Sequence, residues 1–253
     1  MGEIITETKA MQIVNEFLDE LKITVQSDIL ALYIIGSLGG GYYRPGQSDI
    51  DTAVIIRDEA KITQKQIEKI ADEYCKKYEI PKGFGAEVIR ISELSPPYNN
   101  RKGEDFFTMA VARLKTQSKA IFGTIDINNI KMPAAEDFKK DALKGEQWLN
   151  QEFGYPVFDK LQITGCVNCI LGSLRGYLII EKNIFEFNKF LTIGTYLSND
   201  PPIIDEKVFA FIKKKLNDEV TGDENDLQML RECGIRFREF FNKRLLNVDT
   251  CTL

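Results

Sequence analysis

Apolar residues recur at two different spacings along this chain, and the change from one to the other divides it. Val14, Phe17, Leu18 and Leu21 fall three and four apart, which predicts an amphipathic helix from about Thr6 to Lys22. Two short β-branched runs follow, Ala31-Leu32-Tyr33-Ile34-Ile35 and Thr52-Ala53-Val54-Ile55-Ile56, with the length of buried strands, so strand, loop and strand are expected from about Ile29 to Ile56. Ile67, Ile70, Ala71, Tyr74 and Cys75 then mark a helix crossing back over the sheet. Ala86 to Ile91 reads as a third strand, and a helix from Glu104 to Lys119 closes this half. Asp126 to Pro133 is a turn-rich connector, after which helical periodicity dominates: Ala134 to Phe153, Val157 to Ile180, Ile184 to Thr195, Glu206 to Leu216 and Asp226 to Leu246. Phe237, Phe240 and Phe241 form an aromatic stripe expected to be core. The expected class is α+β, with a sheet domain over residues 1–125 and an all-α helical bundle over residues 126–253.

Between the first two strands lies the segment Gly36-Ser37-Leu38-Gly39-Gly40-Gly41-Tyr42-Tyr43-Arg44-Pro45-Gly46-Gln47-Ser48-Asp49-Ile50-Asp51. Side chains alternate along a strand, so Asp49 and Asp51 are expected on one face and Ile50 in the core. A glycine-rich loop lets phosphates approach the main chain, and the Ser37 hydroxyl adds a hydrogen-bond donor. Two carboxylates beside such a loop suit Mg²⁺, which prefers a few carboxylates plus substrate phosphate oxygens to an all-protein cage. Two such ions stabilise the attacking and leaving oxygens of an in-line displacement. The competing phosphate loops do not fit, because no Gly-Lys-Ser/Thr follows and no G-x-G-x-x-G opens a helix. An acid also interrupts the third strand, Glu87 in Gly85-Ala86-Glu87-Val88-Ile89-Arg90-Ile91. Such a residue is costly to bury unless it is paired or ligates a metal, and Arg90 is one candidate partner.

Gly-Ser, a spacer and Asp-x-Asp, here Gly36-Ser37 to Asp49-Ile50-Asp51, resemble the signature of the polymerase-β-like nucleotidyltransferase superfamily. Within it the chain most resembles the streptomycin/spectinomycin adenylyltransferases. The likeness extends through Asp105 to Gly123 and through Asn168-Cys169-Ile170-Leu171-Gly172-Ser173-Leu174-Arg175. The resemblance implies a mixed-sheet nucleotidyltransferase domain, a helical second domain, and an active site in the cleft between them. It implies Asp49, Asp51 and Glu87 as catalytic and metal-binding residues, with Glu87 a third ligand or the base that takes the acceptor's proton. It implies Gly36, Ser37, Ser48, Arg175 and Lys189 as nucleotide contacts, with ATP as co-substrate and two Mg²⁺ ions. The implied reaction transfers AMP from ATP to a hydroxyl of a small-molecule acceptor, such as an aminoglycoside-type antibiotic, and releases pyrophosphate. The acceptor itself is not carried over. Where those enzymes hold their cationic antibiotic, this chain has Pro96-Pro97-Tyr98-Asn99-Asn100 and Gln162-Ile163-Thr164-Gly165-Cys166, and its tryptophan, Trp148, lies elsewhere. Transfer onto a protein or tRNA, and a catalytically inactive nucleotide-binding module, are the alternatives.

Composition narrows the partners. A net charge of −5 argues against a nucleic-acid groove, which rests on clustered Lys and Arg, and it permits a cationic small substrate. The chain has no histidine, so proton transfer falls to carboxylates, lysine, tyrosine or water. Cys75, Cys166, Cys169, Cys233 and Cys251 are an odd count without an export signal and read as reduced thiols. The Cys166-x-x-Cys169 pair lacks the second pair a zinc site needs and is expected to pack. No signal peptide and no run of about 18 apolar residues is evident, so a cytoplasmic protein with no membrane partner is expected.

Overall fold

The computed structural model describes residues 4–25, 28–98, 107–123, 125–139, 160–200, 205–241 and 243–244. The chain separates into two compact units, residues 1–102 with 107–133, and residues 103–106 with 134–253.

The first unit is built on a four-stranded mixed sheet of order β3-β2-β1-β4. Helix α1 (Glu7–Val25) precedes β1 (Ile29–Ile35), and a helical turn α2 (Gly36–Gly39) leads through a loop to β2 (Ile50–Ile56). Helix α3 (Gln64–Lys77) then crosses to β3 (Phe84–Arg90). β2 runs antiparallel to β1 and parallel to β3. The crossover helix starts where the sequence supplies a capping box: Gln66 N–H donates to Thr63 Oγ1 at 3.3 Å, and Thr63 N–H donates to Gln66 Oε1 at 2.9 Å. Both sheet faces are covered, which is why β1 and β2 are near-continuous apolar runs rather than alternating ones. One face, with Leu32, Ile34, Ile50, Val54 and Val88, packs on Ile13, Val14, Phe17 and Leu21 of α1 and Ile67 and Ala71 of α3. The other, with Ala31, Tyr33, Ala53, Ile55 and Ile89, packs on Val111 and Leu114 of α4 (Phe107–Thr116).

The expected helix from Glu104 to Lys119 is corrected at its end. α4 stops at Thr116, and Lys119–Phe122 form a fourth strand, β4, antiparallel to β1. The first three residues expected in that helix lie outside the described residues. The connector is irregular as read, with a single 3₁₀ turn at Ile127–Asn129.

The second unit is helical throughout its described elements: α5 (residues 135–139), α6 (Lys160–Lys182), α7 (Lys189–Leu197), α8 (Glu206–Leu216) and α9 (Glu224–Phe241). Most of the helix expected over Ala134 to Phe153, Trp148 included, lies outside the described residues. Cys166, Cys169, Leu174 and Leu178 of α6 meet Ile193, Tyr196, Phe209, Leu230 and Phe237 in one core. The two cysteines therefore pack, and Phe237 is buried with Phe240 against it; the side chain of Phe241 lies outside the description. α7 begins at Lys189 rather than Ile184, because Asn188 caps it by accepting from Phe190 N–H at 3.0 Å. Among the described residues, α6 is the one helix long and apolar enough to cross a membrane, and over half of that apolar window is buried inside the protein. Its apolarity has a packing explanation.

Candidate active site

The loop between β1 and β2 folds around its glycines and tyrosines. Gly36 has φ +66°, a left-handed conformation that costs other residues about 1–2 kcal/mol. Its carbonyl accepts from Gly40 N–H at 2.9 Å, and the Ser37 carbonyl accepts from Tyr42 N–H at 3.0 Å, closing a compact turn at the end of β1. The Tyr42 hydroxyl donates to Gln117 Oε1 at 2.9 Å, tying that turn to the segment after α4. Ser48 is buried and braces the loop's return: its Oγ accepts from Arg44 N–H at 3.0 Å, while its own N–H donates to the Arg44 carbonyl at 2.9 Å. The Ser37 hydroxyl oxygen, in contrast, is buried without a hydrogen-bond partner. A buried hydroxyl left without a partner is costly, so Ser37 is a donor waiting for an acceptor.

The acids follow from the register. Asp51 lies opposite Ile35 of β1 on one side and Gly85 of β3 on the other. Glu87 lies opposite Ala53, two residues along from the Asp51 pairing. Paired residues share a face, so Asp51 and Glu87 project from the same side of the sheet, while Ile50 is fully buried on the other. Strand spacing and rise put the two Cα atoms about 8 Å apart, a gap their side chains can narrow. Arg90 belongs to the opposite face and donates to the carbonyls of Arg57, Asp58 and Ala60, so it holds a loop rather than neutralising Glu87.

β2 begins at Ile50, so Asp49 stands just outside the strand and is exposed. Strand alternation therefore places Asp51 and does not by itself place Asp49. Asp49 is electrostatically close to Tyr43, whose hydroxyl donates to the Ile5 carbonyl at 3.3 Å. Burial, and secondly the Asp49 charge, push the Tyr43 phenol above its ordinary range.

The carboxylate of Asp51 stands in a slot bounded by two missing side chains. A Cβ built on Gly36 would come within 2.5 Å of its Oδ2, and one built on Gly85 within 2.9 Å of its Oδ1. Sequence reading used Gly36 and overlooked Gly85, although a glycine inside an otherwise apolar strand was the available signal. Among the described residues no three His, Cys, Asp or Glu side chains converge into a ready-made metal cluster. The donors are all oxygens, a set for a hard cation that keeps waters and takes up substrate oxygens.

In the helical unit, the structure brings Arg175 and Lys189 to the same pair of helices. Arg175 Nε donates to Thr192 Oγ1 at 3.3 Å, one turn along α7 from Lys189, whose Nζ stands 5.5 Å from the Phe190 ring centroid.

No protein-family model matches this sequence, and no curated protein does. Solved structures do. Spectinomycin adenyltransferase AAD(9) from Enterococcus faecialis, crystallised with ATP and spectinomycin, aligns with 91% of this chain and 99% of its own at a TM-score of 0.64 and 16% identity. The chain has a nucleotidyltransferase fold. At that identity the likeness extends to the fold, in which the sheet and the helical bundle are both included by the coverage. Two toxin–antitoxin structures, MntA–HpeT and a complex with AMP-PNP, align with 55% and 54% of this chain and 89% and 90% of theirs, each at 18% identity. Their TM-scores of 0.30 and 0.31 are too low to bear on fold or function.

Proposed function

We propose that this chain is a metal-dependent nucleotidyltransferase that moves AMP from ATP to a hydroxyl of a small-molecule acceptor and releases pyrophosphate. The observation that carries the reading is the placement of Asp51 and Glu87 on one sheet face beside the Gly36 turn, in a chain with an adenylyltransferase's fold. Residues 1–125 serve as the nucleotidyltransferase domain and 126–253 as the helical domain. The chain acts in the cytoplasm without nucleic acid or membrane.

Asp49 and Asp51 would hold two Mg²⁺ ions, which when bound would offset the charge of the triphosphate and of the leaving pyrophosphate. The Ser37 hydroxyl, buried and lacking an internal acceptor, donates to a phosphate oxygen, and the Gly36 turn lets that phosphate approach the main chain. Ser48 keeps in place the loop that presents Asp49, and through it supports the nucleotide site. Arg175 supplies paired charge-assisted hydrogen bonds to phosphate oxygens, and Lys189 a second, less directional charge. Glu87 acts as the base, a role compatible with its place on the Asp51 face of the sheet, two residues along from the Asp51 pairing. Its carboxylate takes the acceptor's hydroxyl proton as the acceptor oxygen bonds to the α-phosphorus. The bond from that phosphorus to the bridging oxygen of the β-phosphate breaks, and the electron pair leaves on pyrophosphate.

The neighbour's spectinomycin makes a cationic, polyhydroxylated antibiotic the first acceptor to try, and a net charge of −5 is compatible with it. The test is pyrophosphate release over an acceptor library with ATP, GTP, CTP and UTP in turn, with Mg²⁺ and with chelator. ATP-specific release that needs both acceptor and Mg²⁺ is expected. Tight binding of a non-hydrolysable ATP analogue with no release over any acceptor would instead make the chain a nucleotide-binding module.

A further inference from the structure

We infer that Gly85 is a positioning residue for the metal-binding carboxylate of Asp51, an inference that rests on the function proposed above. Three observations converge on it. Gly85 lies directly across from Asp51 in the parallel β2–β3 pairing, on the face that also carries Glu87. A Cβ at Gly85 would stand 2.9 Å from Asp51 Oδ1, and among the described residues the next atom beyond its chain neighbours would be the Ile50 carbonyl oxygen at 4.0 Å. Gly85 is also exposed and is not among the glycines with positive φ, so neither core packing nor backbone conformation calls for glycine there. Glycine inside a strand is destabilising, and one kept without a conformational reason marks close approach of another group. Here that group is a carboxylate oxygen.

The two sides of the slot differ. At Gly36 the left-handed backbone itself requires glycine, so a substitution there mixes strain with displacement of Oδ2. At Gly85 the backbone is ordinary, and its carbonyl is already fixed by the Thr52 hydroxyl, which donates to it at 3.1 Å. Among the described residues, the atom an added methyl would meet below 3.0 Å is therefore an oxygen of the Asp51 carboxylate. Rotating that group about its short side chain moves its oxygens off the position in which they would hold a cation. Edge strand β3 meanwhile stays in register, because Gln64 pairs with its free edge, accepting from Val88 N–H at 2.8 Å and donating to the Ala86 carbonyl at 3.0 Å.

The experiment is a titration of Mn²⁺ by electron paramagnetic resonance in the presence of a non-hydrolysable ATP analogue, with thermal denaturation alongside, on wild type, Gly85→Ala, Asp51→Asn and the double variant. Gly85→Ala is expected to keep its Tm or gain about 1–3 °C, since removing a strand glycine restricts the unfolded chain. Its Mn²⁺ affinity should fall about tenfold or more, and the loss should disappear in the Asp51→Asn background, because the charge whose position Gly85 governs is no longer there. Wild-type Mn²⁺ affinity in Gly85→Ala, with Asp51→Asn weakened, would overturn the role of Gly85 and leave the proposed function standing. Unchanged affinity in Asp51→Asn, or no Mn²⁺ binding by wild type, would overturn both. If Gly85→Ala lowers Tm, Gly85→Ala in an Asp51→Ala background decides: a restored Tm supports a clash with Asp51, and the same loss in both backgrounds refutes it.

Discussion

Arg175→Ala removes two things of different size. Within the helical unit, Arg175 Nε donates to Thr192 Oγ1 at 3.3 Å, a long bond at a partly exposed position, and the Thr192 hydroxyl keeps its own bond to the Asn188 carbonyl at 3.0 Å. A net hydrogen bond contributes about 0.5–1.5 kcal/mol, and this one belongs at the low end. For a chain of this size that bond alone accounts for a fall in Tm of about 1–4 °C, to which the side chain's other interactions add. If the guanidinium also binds phosphate oxygens, its loss costs about 1.5–3 kcal/mol of nucleotide binding, or about 10- to 150-fold in Kd. The two effects therefore separate by readout. Calorimetric titration of a non-hydrolysable ATP analogue with Mg²⁺ measures the second, and thermal denaturation the first. Arg175→Lys should fall between, because it keeps the charge and loses the planar fork. An affinity in Arg175→Ala within about twofold of wild type, with Tm lowered, would confine Arg175 to bracing α7 and remove it from the nucleotide site.

Asp51→Asn and Asp49→Asn keep shape and remove charge, so turnover should fall by about a thousandfold or more, equivalent to about 4 kcal/mol, with Tm nearly unchanged; wild-type turnover in either would refute the metal-binding assignment. Glu87→Gln should lose turnover while retaining Mg²⁺-dependent binding of the ATP analogue if Glu87 is the base, and should lose both if it is a ligand. Acid stability should depend on Glu16, whose carboxyl is lowered to about 2, first by the Tyr78 hydroxyl and then by Lys77, with its Nζ at 3.1 Å. A carboxyl depressed in the folded state stabilises above its unfolded pKa of 4.5 and loses that contribution as pH falls towards 2. Tyr78→Phe should thus lose less Tm than wild type between about pH 5 and pH 2, and identical pH profiles would show that the pair is decoupled.

What was legible in the sequence was whatever local patterning dictates. β1 and β2 are buried on both faces, so they appear as near-continuous apolar runs, and Ile50 is the inward residue between two acids. β4 was not legible. Lys119–Phe122 is a four-residue edge strand with exposed or half-exposed side chains, too short to alternate, and it is a strand because it pairs with β1, some 85 residues earlier in the chain. Gly123 then ends it with φ +61°, where a Cβ would come within 2.0 Å of the Leu30 carbonyl oxygen. The gap between α6 and α7 did carry local signals: Asn183 adopts φ +55° after α6, and Asn188 caps α7. They were outweighed by the apolar residues between them, which pack as a loop, Phe185 standing 6.0 Å from Phe138 and 6.5 Å from Phe187 by ring centroids.

The candidate site divides along the same line. That Asp51 and Glu87 each sit on a strand follows from the residues around them. That they share a face, with Gly85 directly opposite Asp51, follows only from the parallel register of β2 and β3, which is set by the crossover through α3 and by contacts such as Thr52 to the Gly85 carbonyl. A one-residue slip in that register would turn Glu87 towards Ile67 and Ala71 and put Ala86 opposite Asp51, adding a Cβ where the carboxylate now stands. The chemistry therefore depends on the same register that buries Ile50, Val54 and Val88 together on the other face. Core packing and the geometry of the acids are one constraint, and substitutions that loosen the α3 face of the sheet should be felt at Asp51 without touching it.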